Sequence, residues 1–315
     1  MSASSGDEPA LAPAAPSVFV VGAGVVGTTL AASLHRAGVP VLGLHGRSTV
    51  TAPASPLSAS GAGTGATVVA TAGELPEVVS RADVIILCVR DERISQVSER
   101  LRRETRLRDH QILLHTSGAH AAAEVLGAAR AAAGAIGTMH PLVSFADPGL
   151  FAGGLRDIAF GVEGDPAARA AARFLVGKLG GRALDLAAAD LPLYHAAAVL
   201  ASNYVVALGD LARGLFIEAG VSPEDALAAL VPLMNSVVQN LARVGLPGAL
   251  TGPVERGDVS TVERHLEALE RRAPDLAPLY RSLGREVLRI ARGKSPLEAE
   301  AIVRLGALLG EGGPG

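Results

Sequence analysis

The sequence predicts an α/β fold, a doubly wound and mostly parallel sheet, followed by an all-α C-terminal domain. Three observations carry that prediction. An apolar strand, Val18–Val21, runs into Gly22-Ala23-Gly24-Val25-Val26-Gly27 and then into a helix. Short apolar strands and helices alternate from there to residue 186. Beyond Leu191 the strand pattern stops and long Ala/Leu-rich helices take over.

Each element has its own signal. Val18, Val20 and Val21 are β-branched at the density of a strand covered on both faces. The first helix runs to Ala37 and stops at Gly38, and a second strand, Val39–Leu44, follows. Thr51–Gly65 is rich in Ala, Ser, Pro and Gly and reads as a mobile surface loop. A third strand is expected at Ala66–Thr71, a short helix at Glu74–Arg81 and a fourth strand at Ala82–Val89. A helix at Ile94–Arg103, a strand at Gln111–His115, a helix at Ala121–Ala132 and a strand at Ala135–Met139 complete the alternation. Strands at 158–163 and 182–186 flank an Ala167–Leu179 helix. The later helices are Leu193–Ala219, Pro223–Val244, Val259–Arg271, Ala277–Ala291 and one from Leu297. Ser222 before Pro223 is a helix-start signal. The domains are then a disordered tail at 1–16, an α/β domain at 17–188 and a helical domain at 189–315, the last serving substrate binding and dimerisation.

The strand–glycine turn–helix context makes G-x-G-x-x-G a dinucleotide-binding signal of the Rossmann type. Gly22 permits the tight turn, Gly24 lets a pyrophosphate approach the backbone, and Gly27 lets the helix pack close to the strand. Val25 and Val26 open the helix, whose free N–H groups and dipole favour phosphate. An acidic residue about 20 positions on would bind the ribose hydroxyls of NAD. None is present; Arg47 and Ser48 stand there instead and suit a 2′-phosphate, so NADP(H) is the expected cofactor. Ligands of such sheets bind beyond the carboxyl ends of the strands. That singles out Arg90 and Asp91, Thr116 and Ser117, and His140 with Ser144, each of which could equally be a loop or capping residue. Val89, Arg90 and Ser117 are assigned to the cofactor.

Two clusters in the helical part could serve a substrate. Tyr194-His195 leads through small residues to Ser202-Asn203-Tyr204. On one continuous helix His195 and Asn203 stand roughly 12 Å apart along the axis, a span that could bracket a small molecule. They could equally form structural hydrogen bonds between helices. The Gly/Pro-shaped loop Thr251–Asp258 carries Arg256, suited to anchor a carboxylate, or else to pair with Asp258 at the surface. His265 on the next helix reads as packed or solvated.

Composition narrows the classes. Hydrophobic residues make up 49% and aromatics 3% with no Trp, so the core is built from Ala, Val and Leu. A net charge of −3 gives no basic field for nucleic acid or an anionic membrane. The single cysteine, Cys88, rules out an internal disulfide and a Cys-rich metal site, and its apolar strand makes it a core residue. No metal is expected. The N-terminus lacks a basic leader region, and no apolar run is read as a membrane span, so a cytoplasmic protein is expected. A broad apolar face on the helices favours a homodimer.

The N-terminal half resembles the dinucleotide-binding domains of ketopantoate reductase, pyrroline-5-carboxylate reductase and 6-phosphogluconate dehydrogenase-type enzymes. Further motifs are His115-Thr116-Ser117-Gly118, Met139-His140-Pro141-Leu142 with Ser144-Phe145, Tyr194-His195 through Asn203, and Thr251-Gly252-Pro253 with Arg256-Gly257-Asp258. Together they resemble a bacterial family that pairs a Rossmann-like domain with a C-terminal helical domain of unknown function. The likeness runs from Ser17 to about Arg292. The broader group has a Lys four residues before an Asn on the first long helix. Here His195 takes the Lys place, Val199 stands four later, and Asn203 is a further turn on. The resemblance implies an NADPH-dependent reductase of a small carbonyl or imine acid, ketopantoate first. In it His195 is the proton donor, Asn203 a substrate hydrogen-bond partner and Arg256 the carboxylate anchor. The alternatives are a pyrroline-5-carboxylate-like imine reductase and a non-catalytic NADP(H)-binding regulator.

Overall fold

A computed structural model describes residues 15–46, 69–104, 107–146, 148–151, 153–294 and 296–311. Arg47, Ser48, the Thr51–Gly65 loop and the tail up to residue 14 lie outside the described residues. The chain divides into two compact units, 1–202 and 203–315.

The first unit holds β1 (Val18–Val21), α1 (Val25–Arg36), β2 (Val41–Gly46), β3 (Val69–Ala72), β4 (Val84–Leu87), α2 (Asp91–Arg103) and β5 (Ile112–His115). It continues with α3 (Ala122–Val125), β6 (Ala135–Pro141), β7 (Ala159–Gly164), α4 (Pro166–Lys178), β8 (Arg182–Asp185) and α5 (Leu191–Ala201). The strands form one sheet in the order β3-β2-β1-β4-β5-β6-β7-β8. All neighbours run parallel except β6 and β7, which pair antiparallel with His140 opposite Gly161. The order reverses between β1 and β4, which defines the switch point where such sheets take ligands.

Alternation along β1 explains its unbroken apolar run. Val18 and Val20 face a core with Leu30, Ala31 and Leu34 of α1 and Leu175 of α4. Phe19 and Val21 face the opposite core with Ile94 and Leu101 of α2. Both faces are covered, so neither can be polar. Gln111 is wholly buried, and its three amide bonds (to Val79 O, Ala82 O and from Arg108 N) satisfy it at 2.6–2.9 Å. Cys88 is buried as expected, and burial pushes its thiol up to about 12, so it stays an inert thiol.

Two expected helices are shorter than the pattern suggested. The Glu74–Arg81 helix is a 3₁₀ turn at Glu77–Arg81, because Pro76 is extended at ψ 150° and the helix can start only after it. The Ala121–Ala132 helix is the single turn α3 followed by a 3₁₀ turn at Gly127–Ala129, split where Leu126 leaves the helical region at ψ 0°.

The second unit is all helical: α6 (Asn203–Glu218), α7 (Pro223–Gly248), α8 (Val259–Arg272), α9 (Ala277–Arg292) and α10 (Ala299–Leu309). Ser222 accepts the Asp225 N–H and Pro223 takes the first turn, the start that the sequence signalled. Val262, Leu266, Leu288, Leu305 and Leu309 make the core of α8–α10. By contrast α6 buries no residue fully, and α7 buries only Ala226 and Leu230.

The expectation that no apolar run could span a membrane needs correcting. Among the described residues, 188–218 and 223–244 are long and apolar enough to cross one, and only 6% of each window is buried. Ser202 and Asn203 dilute the first stretch without adding charge. The helix expected from Leu193 to Ala219 also breaks. Ser202 sits at φ −130°, ψ −77°, with its hydroxyl donating back to Ala198 O at 2.7 Å. The spacing of one continuous helix therefore does not hold from His195 to Asn203.

Candidate functional site

The glycine turn is built to be open at one place only. A Cβ on Gly22, which sits at φ +117°, would meet Cys88 O at 2.1 Å. A Cβ on Gly27 would meet Gly22 O at 1.8 Å. A Cβ on Gly24 would meet nothing within 4 Å. Gly22 thus seats the turn against Cys88 beyond β4, Gly27 brings α1 against the turn, and Gly24 leaves free space over the helix start. Gly24 is also the N-cap of α1 and supplies no side-chain bond, so the first N–H groups face outward unmet by a cap.

That turn forms one wall of a cleft of about 1150 Å³. Gly22 and Gly24 line it together with Val89, Arg90, His45 at the end of β2 and Gly73 beyond β3. Helix α2 supplies Arg93, Gln96, Arg100 and Arg103. The room and the wall suit a dinucleotide, with the glycine turn for its pyrophosphate. Of the residues expected at a cofactor, Gly22, Gly24, Val89 and Arg90 line this cleft, and Val25, Val26 and Gly27 form the first turn of α1 beside it. The α2 arginines escaped the sequence reading. Their signal was a basic stripe at helical spacing, which ordinarily means a solvated face.

A buried polar chain crosses the ends of the next strands. The Ser117 N–H donates to His115 Nδ1 at 3.2 Å, so the imidazole proton resides on Nε2. Nε2 lies 2.9 Å from Thr138 Oγ1 and so donates to it, and the Thr138 hydroxyl donates to Glu163 Oε2 at 3.3 Å. The same carboxylate oxygen accepts the Ala122 N–H at 2.9 Å. Ser117 donates its hydroxyl to Asp91 Oδ2 at 2.9 Å and accepts the Ala119 N–H. Ser117 and Asp91 thus bond each other and shape the turn after β5. Burial, helped by the charges of His120 and His140, lowers the His115 pKa to about 3, so this imidazole is neutral. Thr116 bonds Leu87 O, and Ser144 is exposed beyond β6.

Beside that chain, His140 at the end of β6 meets α5. Its Nδ1 stands 2.9 Å from the Tyr194 hydroxyl, and its ring lies 6.2 Å from that of His195. Gly118 makes room, since a Cβ there would come within 2.7–2.9 Å of the imidazole. Burial, with His195 adding to it, lowers the His140 pKa to about 4. Burial also raises the Tyr194 pKa, so the phenol keeps its proton; a backbone bond with Gly161 works the other way. The Nδ1 of His195 is buried without a protein partner. Because β5 and β6 run parallel to β4, these side chains gather at the same edge of the sheet as the glycine turn. The structure therefore brings His195 together with His140, which the sequence singled out separately, and adds Tyr194 as the link.

Asn203 and Arg256 belong to the second unit, Asn203 as the first residue of α6. Arg256 is exposed in the turn before α8, its N–H donating to Gly252 O. The pairing of Arg256 with Asp258 is not found. Asp258 instead caps α8, accepting from Thr261 N and Ser260 Oγ, bonds that hold its carboxyl below the usual range. His265 bonds the Tyr280 hydroxyl at 2.8 Å, a packed role. Among the described residues no group of His, Cys, Asp and Glu could hold a metal.

Comparison with known proteins agrees with this architecture. Residues 2–141 match the Rossmann-like domain family. Residues 158–287 match DUF2520, a domain of unknown function. None of the curated proteins matches the chain. Among solved structures, a protein of Thermotoga maritima is similar at 24% identity and TM-score 0.66, covering 88% of this chain and 99% of that one. A Plasmodium falciparum pyrroline carboxylate reductase with NADP bound is similar at 13% identity and TM-score 0.54, covering 93% and 98%. A reductive aminase of Aspergillus terreus in complex with NADPH and ethyl levulinate is similar at 15% and 0.55, covering 94% and 93%. These identities speak for the fold.

Proposed function

We propose that this chain, which joins a Rossmann-like domain to a DUF2520 domain, is an NADPH-dependent reductase of a small carbonyl or imine acid. The observation that carries the reading is one sheet edge bearing both an open glycine turn over an uncapped helix and the His140–Tyr194–His195 cluster. Similar folds described with NADP or NADPH, a pyrroline carboxylate reductase and a reductive aminase, support the cofactor and the imine arm of the substrate class. Bound at the glycine turn, NADPH supplies a hydride.

The protein's own part is to hold the cofactor, orient the acceptor and deliver a proton. Gly24 and the first N–H groups of α1 receive the pyrophosphate, in a turn that Gly22 and Gly27 keep closed, and Arg47 and Ser48 are assigned to the adenosine phosphate. His195 delivers the proton to the carbonyl oxygen or imine nitrogen. His140, neutral and bonded to Tyr194, steadies the helix that carries His195. Asn203 gives the substrate a hydrogen bond and Arg256 takes its carboxylate.

The test is NADPH oxidation with 2-oxo acids, ketopantoate included, and cyclic imines. Turnover of one of them is expected. With that substrate His195→Ala should lower kcat about 100-fold, within the usual range for a general acid. Unchanged turnover would sink the donor assignment. Tight NADPH binding with no turnover on the whole panel would favour a regulator.

The bare helices of the second unit support a homodimer as the working form. Tyr204, Val206 and Leu208 of α6 and Leu233, Val237 and Val238 of α7 are exposed large apolar side chains, on helices that bury almost nothing. Asp210, Arg213, Asn235 and Gln239 interrupt these helices, as suits a protein partner better than lipid. Light scattering after gel filtration without detergent should give twice the 31.8 kDa chain mass. Val206→Glu combined with Val238→Glu should give monomers. A detergent requirement, or a monomeric wild type, would overturn the dimer.

A further inference from the structure

We propose that Arg100 on helix α2 reads the 2′-phosphate of NADPH and so sets the cofactor preference. The inference rests on the reading of the cleft as an NADP(H) site, and it names a residue that the sequence motif does not reach.

In this fold the group that reads the 2′ position stands at the carboxyl end of the second strand. Here β2 ends with His45 and Gly46, and no carboxylate is present among them. His45 itself is occupied, its Nδ1 2.9 Å from Thr71 Oγ1 on β3. The charged group that reaches this corner comes from a different element. Arg100 Nη2 donates to Gly73 O, one residue past the end of β3, at 3.3 Å. Because Gly46 pairs with Ala72, Gly73 lies beside the end of β2, and Arg100 reaches that corner from α2. Its charge is also felt there: burial first, then Arg100, lowers the His45 pKa, against a backbone bond with Gly73 and the Glu104 charge, which raise it. A guanidinium at this corner suits an anion and not a bare hydroxyl pair.

The surroundings agree. Arg93, Arg100 and Arg103 of α2 line the cleft with Arg90, against Glu92 and Glu104. Arg93 bonds Gln96 Oε1, and Arg103 pairs with Glu99 at 3.3 Å. Arg100 pairs with Glu104 at 2.7 Å, but both side chains are over a third exposed. An exposed pair of this kind contributes little, so it yields readily to a dianion that offers bidentate, charge-assisted bonds. The Gly73 contact keeps the guanidinium at the corner meanwhile.

Calorimetric titration of the whole chain with NADPH, NADH, 2′,5′-ADP and 5′-AMP tests this without any substrate. Wild type is expected to favour NADPH over NADH and 2′,5′-ADP over 5′-AMP. Arg100→Ala should weaken NADPH and 2′,5′-ADP by about 10- to 100-fold, the usual worth of a charge-assisted bond. It should leave NADH and 5′-AMP within about 3-fold, which a folding defect would not do. Arg100→Lys should restore part of the preference, and Glu104→Gln should not reduce it. A wild type that prefers NADPH while Arg100→Ala keeps the same NADPH/NADH ratio overturns this inference alone. Loss of preference in Arg47→Ala but not in Arg100→Ala would do the same. A wild type that binds neither dinucleotide overturns the NADP(H) reading itself, and this inference with it.

Discussion

Gly24→Ala should fold as wild type does and lose nucleotide binding, while Gly27→Ala should lose the fold. The two changes add the same methyl three residues apart. At Gly24 it meets nothing within 4 Å, and the residue lies at φ −79°, ψ −173°, which alanine adopts freely. Weakening of the N-cap and the lower entropy of the unfolded chain oppose each other, each within about 1 kcal/mol. The melting temperature should therefore move by no more than about 3 °C. The methyl does fill the approach to the α1 N–H groups, so NADPH affinity should fall about 10-fold or more. At Gly27 the methyl meets Gly22 O at 1.8 Å, and a backbone oxygen cannot swing aside. Overpacking of that kind costs roughly 3 kcal/mol or more. Gly22→Ala adds the strain of φ +117° to its own clash at Cys88 O and should be the worst of the three. Thermal melts beside NADPH titrations decide it. A Gly24→Ala protein that binds NADPH as tightly as wild type would remove the glycine turn from the site.

Acid should destabilise the first unit well above the pH at which carboxylates protonate. His115 and His140 have folded pKa values lowered to about 3 and about 4 from an ordinary 6.5. The unfolded chain therefore binds two more protons than the folded one as pH falls below about 6.5. Stability is complete above that pH and is lost on the way down toward pH 4 and then 3. Each histidine contributes a slope of up to about 1.4 kcal/mol per pH unit, so the pair should remove roughly 4 kcal/mol between pH 6.5 and 4.5. Urea titrations across that range should show the loss. His140→Gln should take away about half of the slope, since a glutamine can bond Tyr194 without titrating. A wild-type stability that stays flat from pH 6.5 to 4.5 would mean that both imidazoles protonate in place.

Much of the fold was legible because its signals are local. The Val18–Gly27 stretch contains its own turn, helix start and strand, and Ser222-Pro223 announces α7 by cap chemistry alone. The reversal of β7 is less legible, since residues 158–163 look equally apolar in either direction. The break at Ser202 is hidden for a related reason: the residues around it are good helix formers, and only the hydroxyl's bond to Ala198 O marks it. The site was legible where one strand end presents one residue, as with Val89, Arg90 and His140. It was not legible where two elements had to meet. His140 and Tyr194 are 54 residues apart, and nothing in either neighbourhood encodes the other. Arg100 was hidden among charged neighbours on a helix whose polar face looks solvated until β2 and β3 are placed beside it.

The single antiparallel pairing in the sheet has a consequence for how faithfully the site is made. Because β7 runs against β6, Gly161 falls opposite His140, and a methyl at 161 would strike the Tyr194 hydroxyl at 2.7 Å. Its neighbours Phe160 and Val162 point the other way and are wholly buried. Sliding β7 by one step would bring one of those side chains under the phenol and turn a glycine toward the core. Losing the burial of both would cost on the order of 3–6 kcal/mol. The manufacturing tolerance of the polar pair is thus set by two hydrocarbon side chains on the opposite face of the strand. The chemistry at this edge can be re-edited residue by residue, so long as that hidden gauge stays in register.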